Sequence, residues 1–304
     1  MGKAFTLVET LVAMTLFVII MAMLLEAMNH VSRVVSDSSA EAEVTRTARE
    51  ALGVMGRDLA FANPPWSSSN TNSLQFVTNP SVAGLSTQYL NHDSLFWQTP
   101  IGRNAGNGNG GNLAIVGYFV QHSSDVPQRY QLRRVYVEPQ NSSGAANADF
   151  LIYSNPNAWV TTTTYQDYAP STATADAANA EQGWTADGVL EMWVQCLDKF
   201  GAQITDASGT SLNFDSRKGG YSNTSNKLYY PANFSTYPAF VQVVLVCVAP
   251  NELARMTSLP TPPAATPANF STLGSTFVAE ALSQNPGIKS VTAFTRTFRI
   301  NAGN

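Results

Sequence analysis

The chain begins with a long apolar stretch that turns amphipathic and then gives way to strand-like alternation. From Phe5 to Leu25 nearly every residue is apolar, and Glu9 carries the only charge. That length is just enough to span a bilayer as a helix. Beyond Glu26 apolar residues recur at three- and four-residue steps: Val31, Val34, Val35, Ala42, Ala48, Leu52, Met55 and Leu59. Such spacing reads as one buried helical stripe. Arg33, Asp37, Glu41, Glu43, Arg46, Arg49 and Glu50 supply the polar face, with Glu43 and Arg46 spaced to pair. Neither Gly nor Pro occurs from Lys3 to Leu52, so a single helix is expected, about 85 Å long if it runs from Phe5 to Ala62. Residues 5–28 form its transmembrane half and 29–62 its amphipathic half. Gly53, Gly56 and Pro64-Pro65 are expected to close it.

After Pro65 the period shortens to two. Candidate strands are Leu74–Thr78, Ser94–Gln98, Leu113–Gln121, Arg129–Glu138, Val189–Leu197, Ala239–Val248 and Val291–Ile300, rich in Val, Tyr, Phe and Trp. A run of strands after one helix implies an α+β protein with an antiparallel sheet. One face of that sheet is the natural cover for the amphipathic half-helix. The globular part is expected over 66–304, with polar insertions near 102–112, 139–186 and 257–269. The segment from Phe270 to Ser283 reads as a short helix.

Composition adds class information. The 304 residues are 44% hydrophobic and 10% aromatic, enough for a sizeable core. Charged residues make up only 12%, the net charge is −4, and no basic block points to nucleic acid. Cys196 and Cys247 are the two cysteines. Outside the cytoplasm they fit one disulfide; as strand residues they fit two buried thiols. The sequence leaves both open.

Glu9 is the anomaly. A carboxylate at bilayer depth costs roughly 2.5–3.5 kcal/mol on insertion scales. A plain single-span anchor with Lys3 inside does not explain it. A secretory signal peptide explains neither Glu9 nor the uninterrupted helix that follows, and no clear A-x-A site is present. The run Lys3-Ala4-Phe5-Thr6-Leu7-Val8-Glu9, placed at the extreme N-terminus before this helix, resembles the processing site of type IV prepilins and pseudopilins. That resemblance implies a pilin-like fold and a leader of residues 1–4, removed by a prepilin peptidase between Ala4 and Phe5. It also implies N-methylation of Phe5, and assembly through Glu9, Leu7, Val8 and Leu11. Ala4 departs from the Gly that most family members carry. A free Phe5 amine has an unperturbed pKa of about 7.7–8 and is largely cationic at neutral pH. In a staggered stack of parallel helices, Glu9 of one subunit meets that amine of the next and fixes register.

The resemblance extends further. Ala51 to Leu59, containing Arg57-Asp58-Leu59, looks like the helix end of J-type minor pseudopilins of type II secretion. Tyr130-Gln131-Leu132-Arg133-Arg134, Val194 to Gly201 and Tyr237 to Leu245 are similar to that family's strands, in the same order. The size also fits the pilin-like Verru_Chthon cassette proteins. The implied role is a structural minor pilin or pseudopilin of a type II secretion or type IV pilus filament. Its implied partners are the prepilin peptidase, other pilin-like subunits and the inner membrane, with the C-terminal domain outside the cytoplasm.

No catalytic constellation accompanies these features. His30, His92 and His122 lack metal-ligand spacing, and Gly106 to Gly111 lacks the Lys-Ser/Thr of a phosphate loop. Asp198, Asp206 and Asp215 do not match the dense oxygen spacing of a calcium loop, so no cofactor is expected. Trp159, Tyr165, Tyr168 and Trp184 either line a ligand surface or pack beneath the long insertion. An exposed cluster there is the basis of the alternative function, a membrane-anchored ligand- or surface-binding module.

Overall fold

The computed structural model describes residues 7–62, 75–85, 93–100, 113–123, 129–139, 147, 150–152, 154–155, 158–166, 185–206, 208–216, 222–223 and 238–300. Helix α1 (Leu7–Ala60) is unbroken over 54 residues, about 81 Å. Its ends suit the helix dipole, with Glu9 in the first turn and Arg57 in the last. It contains Gly53 and Gly56 and ends two residues short of the expected Ala62. It closes where the Phe61 and Ala62 amides turn back to the carbonyls of Asp58 and Leu59.

Ten strands follow among the described residues: β1 (Phe76–Thr78), β2 (Ser94–Pro100), β3 (Leu113–Ser123), β4 (Arg129–Val137), β5 (Thr185–Asp187), β6 (Val189–Leu197), β7 (Ile204–Thr205), β8 (Ser222–Asn223), β9 (Phe240–Cys247) and β10 (Thr292–Arg299). Helices α2 (Thr162–Gln166), α3 (Pro250–Leu253) and α4 (Leu273–Gln284) lie between them. Strands β1 to β5 form one antiparallel sheet in chain order. Strands β10, β9 and β6, in that order, form a second antiparallel sheet, and β7 pairs with β8. The layout is therefore α+β with antiparallel sheets behind one long helix.

The central core joins all three layers. Ala48, Leu52, Met55 and Leu59 of α1 share it with Trp97 and Tyr118 of the larger sheet and with Met192, Val243 and Phe298 of the smaller. Gly188 sets the entry to β6 with a φ of 77°, and any Cβ there would sit 2.2 Å from the Val248 carbonyl oxygen. The β6–β9 register then slips between Val189 and Glu191.

The outer faces are covered by the two insertions that the structure describes in part or in full. From 139–186, Ile152, Trp159, Val160 and Tyr165 pack on Phe96, Phe119 and Val135. Tyr165 Oη lies 2.9 Å from Ser94 Oγ, and Trp159 Nε1 donates to Gln75 Oε1. The Pro/Thr-rich stretch 257–269 is a strap without regular structure across the smaller sheet. Trp193 Nε1 donates to the Pro263 carbonyl at 3.1 Å. Buried Asn285 at the end of α4 accepts from the Thr257 amide at 3.0 Å and donates to the Ser258 carbonyl at 2.7 Å. The third insertion, 102–112, lies outside the described residues.

Candidate assembly interface

The helix has two environments. From Leu7 to Ser36 every residue is exposed, including Leu7 at 80%, Phe17 at 63% and Met28 at 69%. Its hydroxyls are turned inward, with Thr10 Oγ1 donating to the Leu7 carbonyl at 2.9 Å and Thr15 Oγ1 to Val12 at 2.8 Å. From Leu7 to Leu25 the outer surface is thus apolar apart from Glu9. By length and composition this helix is able to cross a membrane. Glu9 sits exposed in the first turn beside exposed Leu7, Val8 and Leu11. Lys3, Ala4 and Phe5, the expected processing residues, lie outside the described residues.

Full burial against the globular domain begins only at Ala40. Ala40, Val44, Ala48, Ala51, Leu52, Met55 and Leu59 form the buried stripe. This corrects the sequence-based stripe: Val31, Val34, Val35 and Ala42 do not belong to it and are exposed. Ala42 and Val44 are two residues apart, about 200° around the helix, so they face opposite ways. The expected Glu43–Arg46 pair does not form among the described residues.

Three polar contacts fix the helix on the domain. At the near end Lys289 Nζ pairs with Asp37 Oδ2 at 2.6 Å, on exposed side chains. The Lys289 backbone is itself held, because buried Glu252 accepts from the amides of Lys289 and Ser290 and from Ser290 Oγ. At the far end Arg134 Nε donates to Asp58 Oδ2 at 2.6 Å, and Tyr118 Oη donates to the same oxygen. Burial opposes the Arg134 charge, yet the hydrogen bonds and charge of Asp58 outweigh it and leave its pKa raised. Burial, with Asp58 alongside, pushes the Tyr118 phenol well above its ordinary range and keeps it a donor. The triad joins the Arg57-Asp58-Leu59 and Leu132-Arg133-Arg134 segments, which are 76 residues apart in the Asp58–Arg134 bond. Their meeting could not be read from either segment alone.

The other candidate residues are placed as follows. Cys196 stands opposite Val241 and Cys247 opposite Val189, on paired strands β6 and β9. Six residues of β9 therefore separate the cysteine positions along the ladder, about 20 Å. A disulfide needs Cα atoms within roughly 7 Å. Of the two states that the sequence leaves open, the structure has two free, buried thiols rather than the disulfide. Burial raises both; Cys247 is pushed up to about 12. Asp198 Oδ1 accepts from the amides of Phe200 and Ala202, and Asp206 Oδ1 from those of Thr210 and Ser211. Both aspartates shape their own turns, and the Ser208 hydroxyl with those amides holds the Asp206 carboxyl below its usual range. Among the described residues no group of three His, Cys, Asp or Glu side chains is arranged to hold a metal ion. His30 is exposed on α1, and the His122 ring stacks on Tyr130 at 4.3 Å. Trp159 and Tyr165 are buried, so neither belongs to a ligand surface. His92, Tyr168 and Trp184 lie outside the described residues.

No protein-family model, curated protein or solved structure matches this chain.

Proposed function

We propose that this protein is a pilin-like structural subunit, a minor pilin or pseudopilin of a type II secretion or type IV pilus filament. The observation that carries the reading is the division of α1. Its first thirty or so described residues project bare, apolar as far as Leu25 with one carboxylate in the first turn, while one stripe of its second half is buried in a β-rich domain. A helix that served only to tether the domain would gain nothing from Glu9, whose burial in lipid is costly. A helix that leaves the membrane to pack beside its equals has a use for one polar, register-setting group. In this reading a prepilin peptidase removes residues 1–4. The Phe5 amine of one subunit then meets Glu9 of the next, and Leu7, Val8 and Leu11 pack around that pair. The domain stays on the extracytoplasmic side of the inner membrane until assembly.

The test is Glu9→Ala. The variant should insert into the membrane at least as well as the parent, because a charge has been removed. It should be lost from filament fractions captured with neighbouring subunits. Undiminished incorporation would contradict the register role.

A further inference from the structure

From the end of the bilayer-length run onward, apolar and small polar residues of α1 fall into a regular pattern, with exposed Val34 beside it. Leu24, Met28, Val31, Val35, Ser38, Ala42 and Thr45 alternate steps of four and three along α1. Leu24, Met28, Val31 and Val35 are 55–69% exposed. This is the heptad pattern of a two-stranded seam, with Met28, Val35 and Ala42 at a positions and Val31, Ser38 and Thr45 at d positions. At about 100° per residue the seam from Leu24 to Ala42 lies opposite the Ala40, Val44, Ala51 and Met55 side of the buried stripe, while the Ala48 and Leu52 side of that stripe reaches the flank of half-buried Thr45. The domain therefore sits behind the helix and leaves the seam clear as far as Ala42, with Thr45 half-buried at its end.

The charges obey the same frame. Glu26, His30, Arg33, Asp37 and Glu43 fall at b, c and f positions, away from the seam. The residues that flank it with charge are Glu41 at g and Arg46 at e. In a parallel, in-register pair, a g residue faces the e residue five positions on in the partner. Glu41 of each copy then meets Arg46 of the other. Both line the open groove on the outer side of α1, together with Ser38, Ala42 and Thr45. Ion pairs among the described residues, Asp37–Lys289 and Asp58–Arg134, use neither. Arg49 at the next a position sets two like charges face to face and ends the seam.

We infer that a second copy of this chain occupies the seam, giving a parallel, in-register pair in the membrane, held over residues 24–45 and selected by two reciprocal Glu41–Arg46 contacts. This pair is distinct from the staggered contact of the proposed filament, where Glu9 meets a residue four positions away in its neighbour. It needs no processing at Ala4 and does not rest on the filament reading.

The test uses the full chain in membranes of a host without prepilin peptidase or other pilin-like proteins. Single cysteines at Val31→Cys, Ser38→Cys and, as control, Arg33→Cys are oxidised with copper phenanthroline. The native thiols are buried and give no background. The expected result is a dimer-sized band for Val31→Cys and Ser38→Cys and little for Arg33→Cys. Added to Val31→Cys, Glu41→Arg or Arg46→Glu should each lower that band about threefold or more, the scale of exposed ion pairs turned into repulsions. The double reversal should restore it. Four results would overturn the inference: equal cross-linking at Arg33→Cys, no band at Val31→Cys, a stronger band from mixed Val31→Cys and Val35→Cys chains than from Val31→Cys alone, or no recovery in the double reversal.

Discussion

Asp58, in the last turn of the long N-terminal helix, is gripped by Arg134 from an inner strand of the larger sheet, with Nε at 2.6 Å and Nη2 at 3.3 Å from its two oxygens. Tyr118 on the adjacent strand completes the grip. Both partners of the pair are mostly covered, with 23% and 16% of their side chains exposed. Such a pair matters chiefly when half of it is removed. Arg134→Ala is expected to destabilise the domain by about 2–3 kcal/mol, below the 3–5 kcal/mol of a fully buried pair. Denaturant unfolding of the full chain in detergent, followed by circular dichroism, measures it. A loss below about 1 kcal/mol would mean that the contact behaves as a surface pair.

Two glycines three residues apart on α1 should respond in opposite ways to the same change. A Cβ on Gly53 meets nothing within 4 Å, whereas one on Gly56 falls 2.9 Å from the Phe298 ring. Gly53→Ala should stabilise by about 0.5–1 kcal/mol through helix propensity and unfolded-state entropy. Gly56→Ala has the same local gain but must push Phe298 from its seat against the helix, and a net loss of about 1–3 kcal/mol is expected. Paired melting curves of the two variants check the sign of each.

The buried thiols make stability depend on alkaline pH. Unfolded cysteine titrates near pH 8.5. In the fold, burial raises Cys196 strongly and Cys247 to about 12. Their contribution is present in full below about pH 8.5 and is lost as pH rises toward the folded values, because only the unfolded chain releases the protons. The expected slope is about 1.4 kcal/mol per pH unit per thiol. It is best read between about pH 9 and 10, before unfolded tyrosines titrate. Cys196→Ala with Cys247→Ala should flatten that limb. Neither native thiol should react with a water-soluble thiol reagent until the chain unfolds.

Much of this fold was legible because its long elements have strong periods. The absence of Gly and Pro to Leu52, and the alternation of Tyr130 to Val137, gave α1 and β4 nearly to their ends. Strands β5, β7 and β8 escaped notice because two or three residues carry no period. Thr185 and Ala186 also fall inside the 139–186 stretch that composition marks as an insertion. The end expected at Ala62 lies two residues past the observed Ala60, and the two glycines sit inside the last turns, where the Phe298 ring packs close over Gly56. The single amphipathic stripe was misread for a different reason. Val35 and Val44 are both apolar, but one faces the open seam and the other the domain. Only the position of the sheets tells them apart. In the candidate site, Glu9 and the bare half-helix stood out from cost and length alone, whereas the Asp58–Tyr118–Arg134 grip needed the three-dimensional arrangement of separate segments.

An assembly helix freed by cleavage begins at Phe5, and the mass of the mature N-terminus reads that start. The protein would be expressed in a host that carries a prepilin peptidase, extracted from the membrane and analysed by mass spectrometry. The account predicts a chain that starts at N-methyl-Phe5, without residues 1–4. A chain that retains Met1-Gly2-Lys3-Ala4 under those conditions would contradict it and leave α1 as a plain anchor.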